Sequence, residues 1–152
     1  MLDKNRPYSR LEIDKVFTKV KATMHAKALL RGKERGINKA FYIDLYTGKE
    51  LLGGDPYDYE HIRSSEAIFN EYKGVLNDEQ IALVVNCNEN VGVTLSSLNK
   101  SKGKRKMEDW LENPKNIVTY NVDMTLTKAN LKKADKGIER KIKEFNKLNE
   151  KI

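Results

Sequence analysis

Apolar residues recur at spacings of three and four near both ends of the chain, a pattern that is typical of amphipathic helices. Towards the C-terminus the stripe predicts a helix over about residues 127–150, formed by Leu131, Ala134, Ile138, Ile142, Phe145 and Leu148. Towards the N-terminus a broader set predicts a helix over about residues 10–31, formed by Leu11, Ile13, Val16, Phe17, Val20, Met24, Ala28 and Leu30.

The N-terminal helix has signals at both of its ends. Ser9 and Glu12 have the spacing of a capping box, in which the two side chains satisfy free backbone amides at the start of a helix. Gly32 and Gly36 indicate where the helix stops, because glycine adopts the backbone conformation that closes a helix. We therefore expect the helix to begin directly after Ser9.

Short runs of strand-forming residues lie between the two long helices. Residues 41–46 and 50–52 flank a turn signal at 47–49 and predict a hairpin. Residues 57–62 and 91–95 predict two further short strands.

Shorter helices are predicted over about residues 66–72, from Ser96 or Ser97 onwards, and around residues 107–111. Residues 81–85 fit a helix or a buried strand, because periodicity does not separate the two at that length. No internal repeat or flexible linker interrupts the pattern. It favours a single α+β domain over residues 1–152, in which a small β core is wrapped by the N- and C-terminal helices.

Charge is distributed unevenly along the 152 residues, whose formal net charge is +7. Residues 40–80 contain nine acidic and three basic residues, whereas residues 1–39 contain eleven basic and four acidic residues. An acidic centre between basic ends suits a protein that holds a cation and attracts phosphates. Solvated faces of long helices produce the same charges, so charge alone leaves both interpretations open.

The composition also limits the compartments and the kinds of metal site that we expect for this protein. No apolar run approaches the ~20 residues that a membrane span needs, so we expect no membrane partner and a cytoplasmic location. The single cysteine, Cys87, excludes an internal disulfide and a Cys-rich zinc site within this chain. We therefore expect a reducing compartment and no structural zinc.

His61 is one of two histidines in the chain and follows Glu60 at the end of an aromatic run. Hydrolysis of a phosphodiester needs a base that deprotonates water and a cation that stabilises charge on the phosphate. Histidine suits the first role, and carboxylate and amide oxygens suit Mg²⁺ or Mn²⁺. Because neighbouring side chains of a strand point to opposite faces, Glu60 and His61 can share a pocket only at a strand end.

Three segments together resemble the HNH endonucleases, whose core is a β-hairpin followed by a helix, the ββα-metal finger. Glu60-His61 is similar to the acid-His pair of that family, and Asn90-Val91-Gly92-Val93-Thr94 is similar to its Asn-x-x-x-Thr segment. Asn99-Lys100-Ser101-Lys102-Gly103 is similar to its Asn-x-Ser-Lys-Gly helix signature. The resemblance covers about residues 41–112 and leaves out the two terminal helices.

The resemblance implies a divalent-metal-dependent endonuclease that hydrolyses DNA, with His61 as general base and Asn90 as the residue that braces the catalytic loop. Glu60 and Asn99 would hold a single Mg²⁺ or Mn²⁺ ion. The family more commonly has Asp where this chain has Glu60, so Asp58 stays open as a rival metal ligand. The long separation from His61 to Asn90 implies an insertion that contains a helix.

Five basic residues follow the proposed helix ligand within a seven-residue window: Lys100, Lys102, Lys104, Arg105 and Lys106. We expect them to contact the phosphates of double-stranded DNA, which positions a duplex without reading its sequence. The resemblance suggests a restriction, phage or mobile-element nuclease. A homodimer would allow such an enzyme to cut both strands.

Other interpretations of the same residues stay open. The chain fits a catalytically inactive nucleic-acid-binding protein on the same scaffold, a nuclease toxin domain, or a helical scaffold that pairs through its C-terminal stripe. We expect His25 to be structural or exposed and Cys87 to be buried. Asp44 and Glu50 flank the predicted hairpin turn, so we expect both to be exposed to solvent.

Overall fold

The computed structural model describes residues 2–151 as a mixed arrangement of helices and strands. The helices are α1 (Leu11–Glu34), α2 (Ser65–Tyr72), α3 (Asp78–Val85), α4 (Ser96–Lys102), α5 (Met107–Leu111), α6 (Pro114–Thr119) and α7 (Met124–Glu150). The strands are β1 (Phe41–Ile43), β2 (Glu50–Leu52), β3 (Tyr57–His61) and β4 (Val91–Leu95). A short 3₁₀ helix, Asn88–Asn90, leads into β4. The α+β class is therefore confirmed.

The C-terminal helix α7 follows its apolar stripe closely. Leu131, Ala134, Ile138 and Ile142 are buried as predicted, while Leu148 is exposed. The helix begins three residues earlier than expected, because the Asp123 side chain accepts a hydrogen bond from the Leu126 amide and caps it.

The N-terminal helix α1 differs from the prediction at its start and in its buried face. Arg10 occupies the N-cap position and its side chain makes no capping hydrogen bond, so the expected capping box is wrong. The buried residues of α1 are Ile13, Ala28 and Gly32, whereas Leu11 and Leu30 are exposed. The helix is therefore buried most deeply near its two ends rather than along one continuous apolar stripe.

Glycine closes α1 as expected. Gly36 adopts a φ of 72°, and its amide bonds to the carbonyl of Lys33 while the amide of Ile37 bonds to the carbonyl of Gly32. This pair of hydrogen bonds is a Schellman motif, which satisfies the last free carbonyls of a helix. The chain then turns directly into β1.

The strands form two separate antiparallel pairs in the described chain. β1 pairs with β2 as the predicted hairpin, with Tyr42 opposite Leu51. β3 pairs with β4, which places Glu60 opposite Gly92 and His61 opposite Val91. The two partners of the second pair are joined by α2, α3 and the 3₁₀ helix, so residues 81–85 belong to a helix rather than a strand.

Three apolar clusters hold these elements together. The first joins α1, α2, α3 and α7 around Phe69 and Ile81, and the second joins α4, α5 and α7 around Leu98 and Trp110. The third lies between the end of α1 and the strands, around Tyr42. Ile62, directly after β3, belongs to the second cluster, while α1 and α3 of the first cluster contact His61. The end of β3 therefore lies between two cores.

Among residues 2–151, the helices are all too short or too polar to cross a lipid bilayer.

Replacing Gly32 by alanine should destabilise the fold although alanine favours helices. A Cβ atom at Gly32 would lie 1.9 Å from the carbonyl oxygen of Lys39, so the backbone would have to move. We expect the free energy of unfolding in urea to fall by about 1–3 kcal/mol, the usual cost of overpacking.

The matched control is Gly74→Ala. At Gly74 the nearest neighbours of a Cβ atom are side-chain carbons of Lys4 at 3.9 Å, which is ordinary contact. Equal stability of the Gly32→Ala variant and the wild type would show that the close approach of α1 to Lys39 is not tight.

Candidate functional site

A cleft of about 740 Å³ lies beside the end of β3, bounded by α1, α2, α4, the loop that follows α4, and α7. Glu60, His61 and Asn99 all line it. A metal ion on Glu60 and Asn99 could act together with His61 only if the three side chains share one opening. The three side chains enter the cleft from different sides, because each of them is held by different neighbouring residues.

Strand pairing decides which way the β3 side chains point. Side chains alternate between the two faces of a strand. Asp58 and Glu60 accordingly contact α4, where Asn99 and Lys102 lie. His61 contacts α1 and the end of α3 on the other side. The acid and the neighbouring histidine therefore diverge within the strand and meet only at the cleft.

Glu60 forms a buried ion pair with Lys102. The Lys102 ammonium donates to Glu60 Oε1 at 2.8 Å, and the two side chains are 7% and 5% exposed. Lys102 therefore departs from its predicted role as an exposed phosphate contact, because Glu60 already holds its charge. The other carboxylate oxygen, Oε2, is buried and has no hydrogen-bond partner in the described chain.

The Tyr46 ring completes this buried cluster. Its hydroxyl is buried and lacks a hydrogen-bond partner among the described residues, and Lys102 Nζ lies 5.8 Å from the ring centroid. Burial, together with the nearby Glu60 carboxylate, raises the pKa of Tyr46 well above its ordinary value. The phenol therefore stays protonated near the Glu60 carboxylate.

Asp58 is engaged by two side chains of α4. Asn99 Nδ2 donates to Asp58 Oδ2 at 3.0 Å, and Ser96 Oγ donates to Asp58 Oδ1 at 2.9 Å. Asp58 is not part of the cleft lining, whereas Asn99 is. This geometry favours Asp58 as the residue that orients the Asn99 amide, and it favours Glu60 over Asp58 as a ligand in the cleft.

His61 is partly exposed at the cleft and packs against α1. Its ring centroid lies 4.2 Å from that of Phe17, and its Nε2 lies 2.8 Å from Asn86 Oδ1. Burial lowers the pKa of His61 to about 4. The imidazole is therefore neutral at pH 7, and the lowered pKa also makes it a weaker proton acceptor than an exposed histidine.

Asn90 is fully buried and bonds to the backbone that follows His61. Its Oδ1 accepts from the Arg63 amide at 2.7 Å, and its Nδ2 donates to the carbonyls of Arg63 and Val85. The Ile62 amide also donates to the Asn90 carbonyl. Asn90 therefore ties the segment after β3 to the end of α3 without lining the cleft.

Arg63 anchors the same segment to two helices. Its guanidinium donates to both carboxylate oxygens of Glu108 in α5 and to both of Asp135 in α7. The hydrogen bonds from Arg63 lower the pKa of Glu108 to about 2. Paired, fork-shaped hydrogen bonds of this kind fix geometry as well as charge.

The basic run divides between the rim of the cleft and its interior. Lys104, Arg105 and Lys106 are exposed and line the cleft, while Lys100 is exposed on α4 outside it. Arg10 lies on the α1 side of the same cleft. Cationic groups therefore lie on both sides of the opening.

Asp44 is fully buried beside the hairpin turn, so the prediction that it is exposed is wrong. Glu50, on the other side of the turn, is exposed as predicted. The Asp44 carboxylate accepts from the Tyr46 amide, the Thr94 hydroxyl and the Leu95 amide at 2.9–3.0 Å. These bonds hold the turn after β1 against the junction of β4 and α4, which carries Asn99.

Within residues 2–151, no three side chains among His, Cys, Asp and Glu are arranged to hold a metal ion. The oxygen donors that line the cleft include the Asn99 amide and the carboxylates of Glu60, Glu71, Asp135 and Glu139. Comparison with known proteins gives no match to a family model, to a curated protein or to a solved structure. The chemistry of the cleft therefore has to be argued from its own geometry.

Sequence reasoning missed three residues around the site. Asn86, Arg63 and Asp44 are polar residues whose partners are distant in sequence, at separations of 25 to 73 residues. A buried acidic residue beside a turn has the same local sequence pattern as an exposed one. The only possible signal for Asp44 is a hydrogen-bond donor far away in the sequence, which is Thr94.

Asp44→Ala should destabilise the protein strongly, because it leaves buried donors without an acceptor. We expect the free energy of unfolding to fall by about 3 kcal/mol, measured by urea denaturation. Thr94→Val removes only one of the donors and should cost less than Asp44→Ala.

Glu50→Ala is the control from the same hairpin. Glu50 is exposed, so its loss should change stability by no more than about 0.5 kcal/mol. A similar small effect of Asp44→Ala would contradict the role assigned to the buried carboxylate.

Proposed function

We propose that this protein is a divalent-metal-dependent endonuclease of the HNH type that hydrolyses DNA phosphodiester bonds. The proposal takes β3, β4 and α4 as the hairpin and helix of a ββα-metal core. The observation that carries it is the shared cleft of Glu60, His61 and Asn99, with exposed Lys and Arg residues on its rim.

Glu60 and Asn99 are the proposed ligands of one Mg²⁺ or Mn²⁺ ion. Both provide hard oxygen donors, which these ions prefer. Support comes from the buried Oε2 of Glu60, an oxygen that lacks a partner in residues 2–151. The amide of Asn99 donates through Nδ2 to Asp58, which leaves its oxygen as the free group. Such an ion, when bound, stabilises negative charge on the phosphate and on the leaving oxygen.

His61 is the proposed general base. Its neutral ring accepts a proton from a water molecule as the water oxygen attacks phosphorus. The bond between phosphorus and the 3′ oxygen breaks, and the products are a 5′-phosphate and, after protonation by solvent, a 3′-hydroxyl. Asn90 and Arg63 contribute by fixing the backbone on either side of Ile62, so that the ring keeps its place at the cleft.

The rim residues are the proposed contacts to the DNA backbone. Lys104, Arg105 and Lys106 lie on one side of the cleft and Arg10 on the other. Side chains of this type bind phosphates and supply a salt-dependent affinity that is independent of sequence. Duplex DNA would therefore cross the opening above His61.

A nucleic-acid-binding protein without catalytic activity is the second candidate. The ion pair between Lys102 and Glu60 favours it, because the ammonium already neutralises the proposed metal ligand. Both candidate functions use the rim residues to bind nucleic acid, but only the nuclease needs a bound divalent cation. They are therefore distinguished by metal dependence rather than by DNA binding.

His61→Ala should abolish cleavage of supercoiled plasmid DNA in the presence of Mg²⁺ or Mn²⁺ while DNA binding persists. Loss of a general base costs roughly 10² to 10⁴ in rate. The measurement is the rate of nicking on an agarose gel, with a chelator as the metal-free reference and with RNA as a second substrate.

His25→Ala is the matched control, because His25 is the other histidine of the chain and is exposed on α1. It should cut at the wild-type rate. Cleavage by His61→Ala at that same rate would refute the assignment of the base. Salt-dependent binding with no metal-dependent nicking in the wild type would favour the second candidate.

The proposed metal site can also be tested through stability. Lys102→Met leaves the buried Glu60 carboxylate without its countercharge and should cost about 3–5 kcal/mol. A cation that binds Glu60 would replace that charge and stabilise the folded state by mass action. We therefore expect the melting temperature of Lys102→Met to rise with added Mg²⁺ by more than that of the wild type.

The double variant Glu60→Gln with Lys102→Met is the control for this experiment. It removes both charges, so it should be more stable than Lys102→Met alone and should not respond to Mg²⁺. A melting temperature of Lys102→Met that is independent of Mg²⁺ would argue against Glu60 as a ligand.

A further inference from the structure

Asn86 is a buried side chain at the end of α3 whose amide is oriented by two carbonyl groups. Its Nδ2 donates to the carbonyl of Ala82 at 2.8 Å and to the carbonyl of Ile13 in α1 at 3.1 Å. The residue is only 4% exposed. The opposite orientation would place the Asn86 oxygen against two carbonyl oxygens and leave two acceptors without a donor.

This orientation points the Asn86 oxygen at His61. The distance from Asn86 Oδ1 to His61 Nε2 is 2.8 Å. An amide oxygen only accepts hydrogen bonds, so the hydrogen of a neutral imidazole has to lie on Nε2. His61 Nδ1 is then the nitrogen with the free lone pair, and no hydrogen bond to it occurs within residues 2–151.

Packing holds the ring in the same place. Phe17 lies against the imidazole at a centroid distance of 4.2 Å, and the ring also borders the cleft. The contacts of Asn86 join α1, α3 and the end of β3 at this point. The ring is therefore constrained by a tilted aromatic contact, with an angle of 41° between the ring planes, and by a hydrogen bond at one nitrogen.

We infer that Asn86 is a positioning residue, which holds the His61 imidazole in the tautomer with hydrogen on Nε2 and leaves Nδ1 to accept the proton of the attacking water. Asn86 does not line the cleft, so it is not among the proposed contacts to DNA. Its effect on catalysis rests on the proposed function. Its effect on the tautomer is a property of the fold.

The first test needs no variant. In protein labelled at the histidine ring nitrogens, long-range proton–nitrogen NMR spectra at neutral pH distinguish a nitrogen that carries hydrogen from one that does not. The chain has two histidines, so a His25→Ala sample assigns the signals. We expect His61 to show a slowly exchanging hydrogen on Nε2 and a bare Nδ1, whereas the exposed His25 shows no protected hydrogen.

Asn86→Ala tests the positioning role. The protected Nε2 hydrogen should disappear, and kcat for plasmid nicking should fall roughly 10- to 100-fold, since a small misplacement of a reacting group has that effect. KM and DNA affinity should stay at their wild-type values, because the rim residues are unchanged.

Asn77→Ala is the matched control. Asn77 caps the same helix at its other end through a hydrogen bond from the Gln80 amide, so its loss weakens α3 without reaching His61. It should keep the protected hydrogen and the wild-type kcat. If Asn77→Ala lowers kcat as much as Asn86→Ala does, the effect is one of helix stability and the inference fails.

The outcomes separate the inference from the proposed function. Hydrogen on Nδ1 of His61 in the wild type, or a protected Nε2 hydrogen that survives Asn86→Ala, would overturn the inference. A wild-type protein that does not cut DNA but shows the expected His61 signals would support the tautomer and refute the nuclease.

Discussion

The pairing of β3 with β4 is the constraint on which the site depends. It fixes the register from Tyr57 to His61 and therefore which side chains face α4 and which face α1. A shift of one residue would exchange the two sets. Glu60 would then face the aromatic side of the strand, and His61 would face the ammonium of Lys102.

Alternation along β3 also explains why the two halves of the site have different environments. On one face, carboxylates meet amide, hydroxyl and ammonium groups of α4, so that negative charge is held in a buried polar cluster. On the other face, the imidazole lies against Phe17 and a buried amide, where burial keeps it neutral. The Glu60 carboxylate and the His61 imidazole thus lie one residue apart without pairing with each other.

Much of the fold could be predicted from the sequence, because many of its elements are specified by residues that are close together in the chain. The stripe of α7, the hairpin of β1 and β2 and the glycine that closes α1 are specified by residues close together in the chain. The candidate residues Glu60, His61 and Asn99 could be chosen because the short segments around them resemble the motifs of the HNH endonucleases. The N-terminal capping box failed because Ser9 precedes the N-cap residue Arg10, and its side chain accepts from the amide of Leu11, the first residue of α1.

What the sequence did not reveal are contacts between distant polar groups. Neither the burial of Asp44 nor the contact of Asn86 with His61 has a local signature, because each depends on where another element packs. The same holds for Lys102, which belongs to a basic run yet is buried by an acid 42 residues away. The sequence of a basic run shows which residues carry charge. Which acidic group each of them pairs with depends on the tertiary structure.

Arg63 has a further consequence for how the molecule folds. It joins the end of β3 to Asp135 in α7, across 72 residues of sequence. Contacts of such wide separation close large loops and are expected to form late, after the local helices and the hairpin. We therefore expect the cleft to be among the last regions to become ordered. A nascent chain without α7 would lack the Asp135 partner of Arg63 and would not yet have a complete cleft.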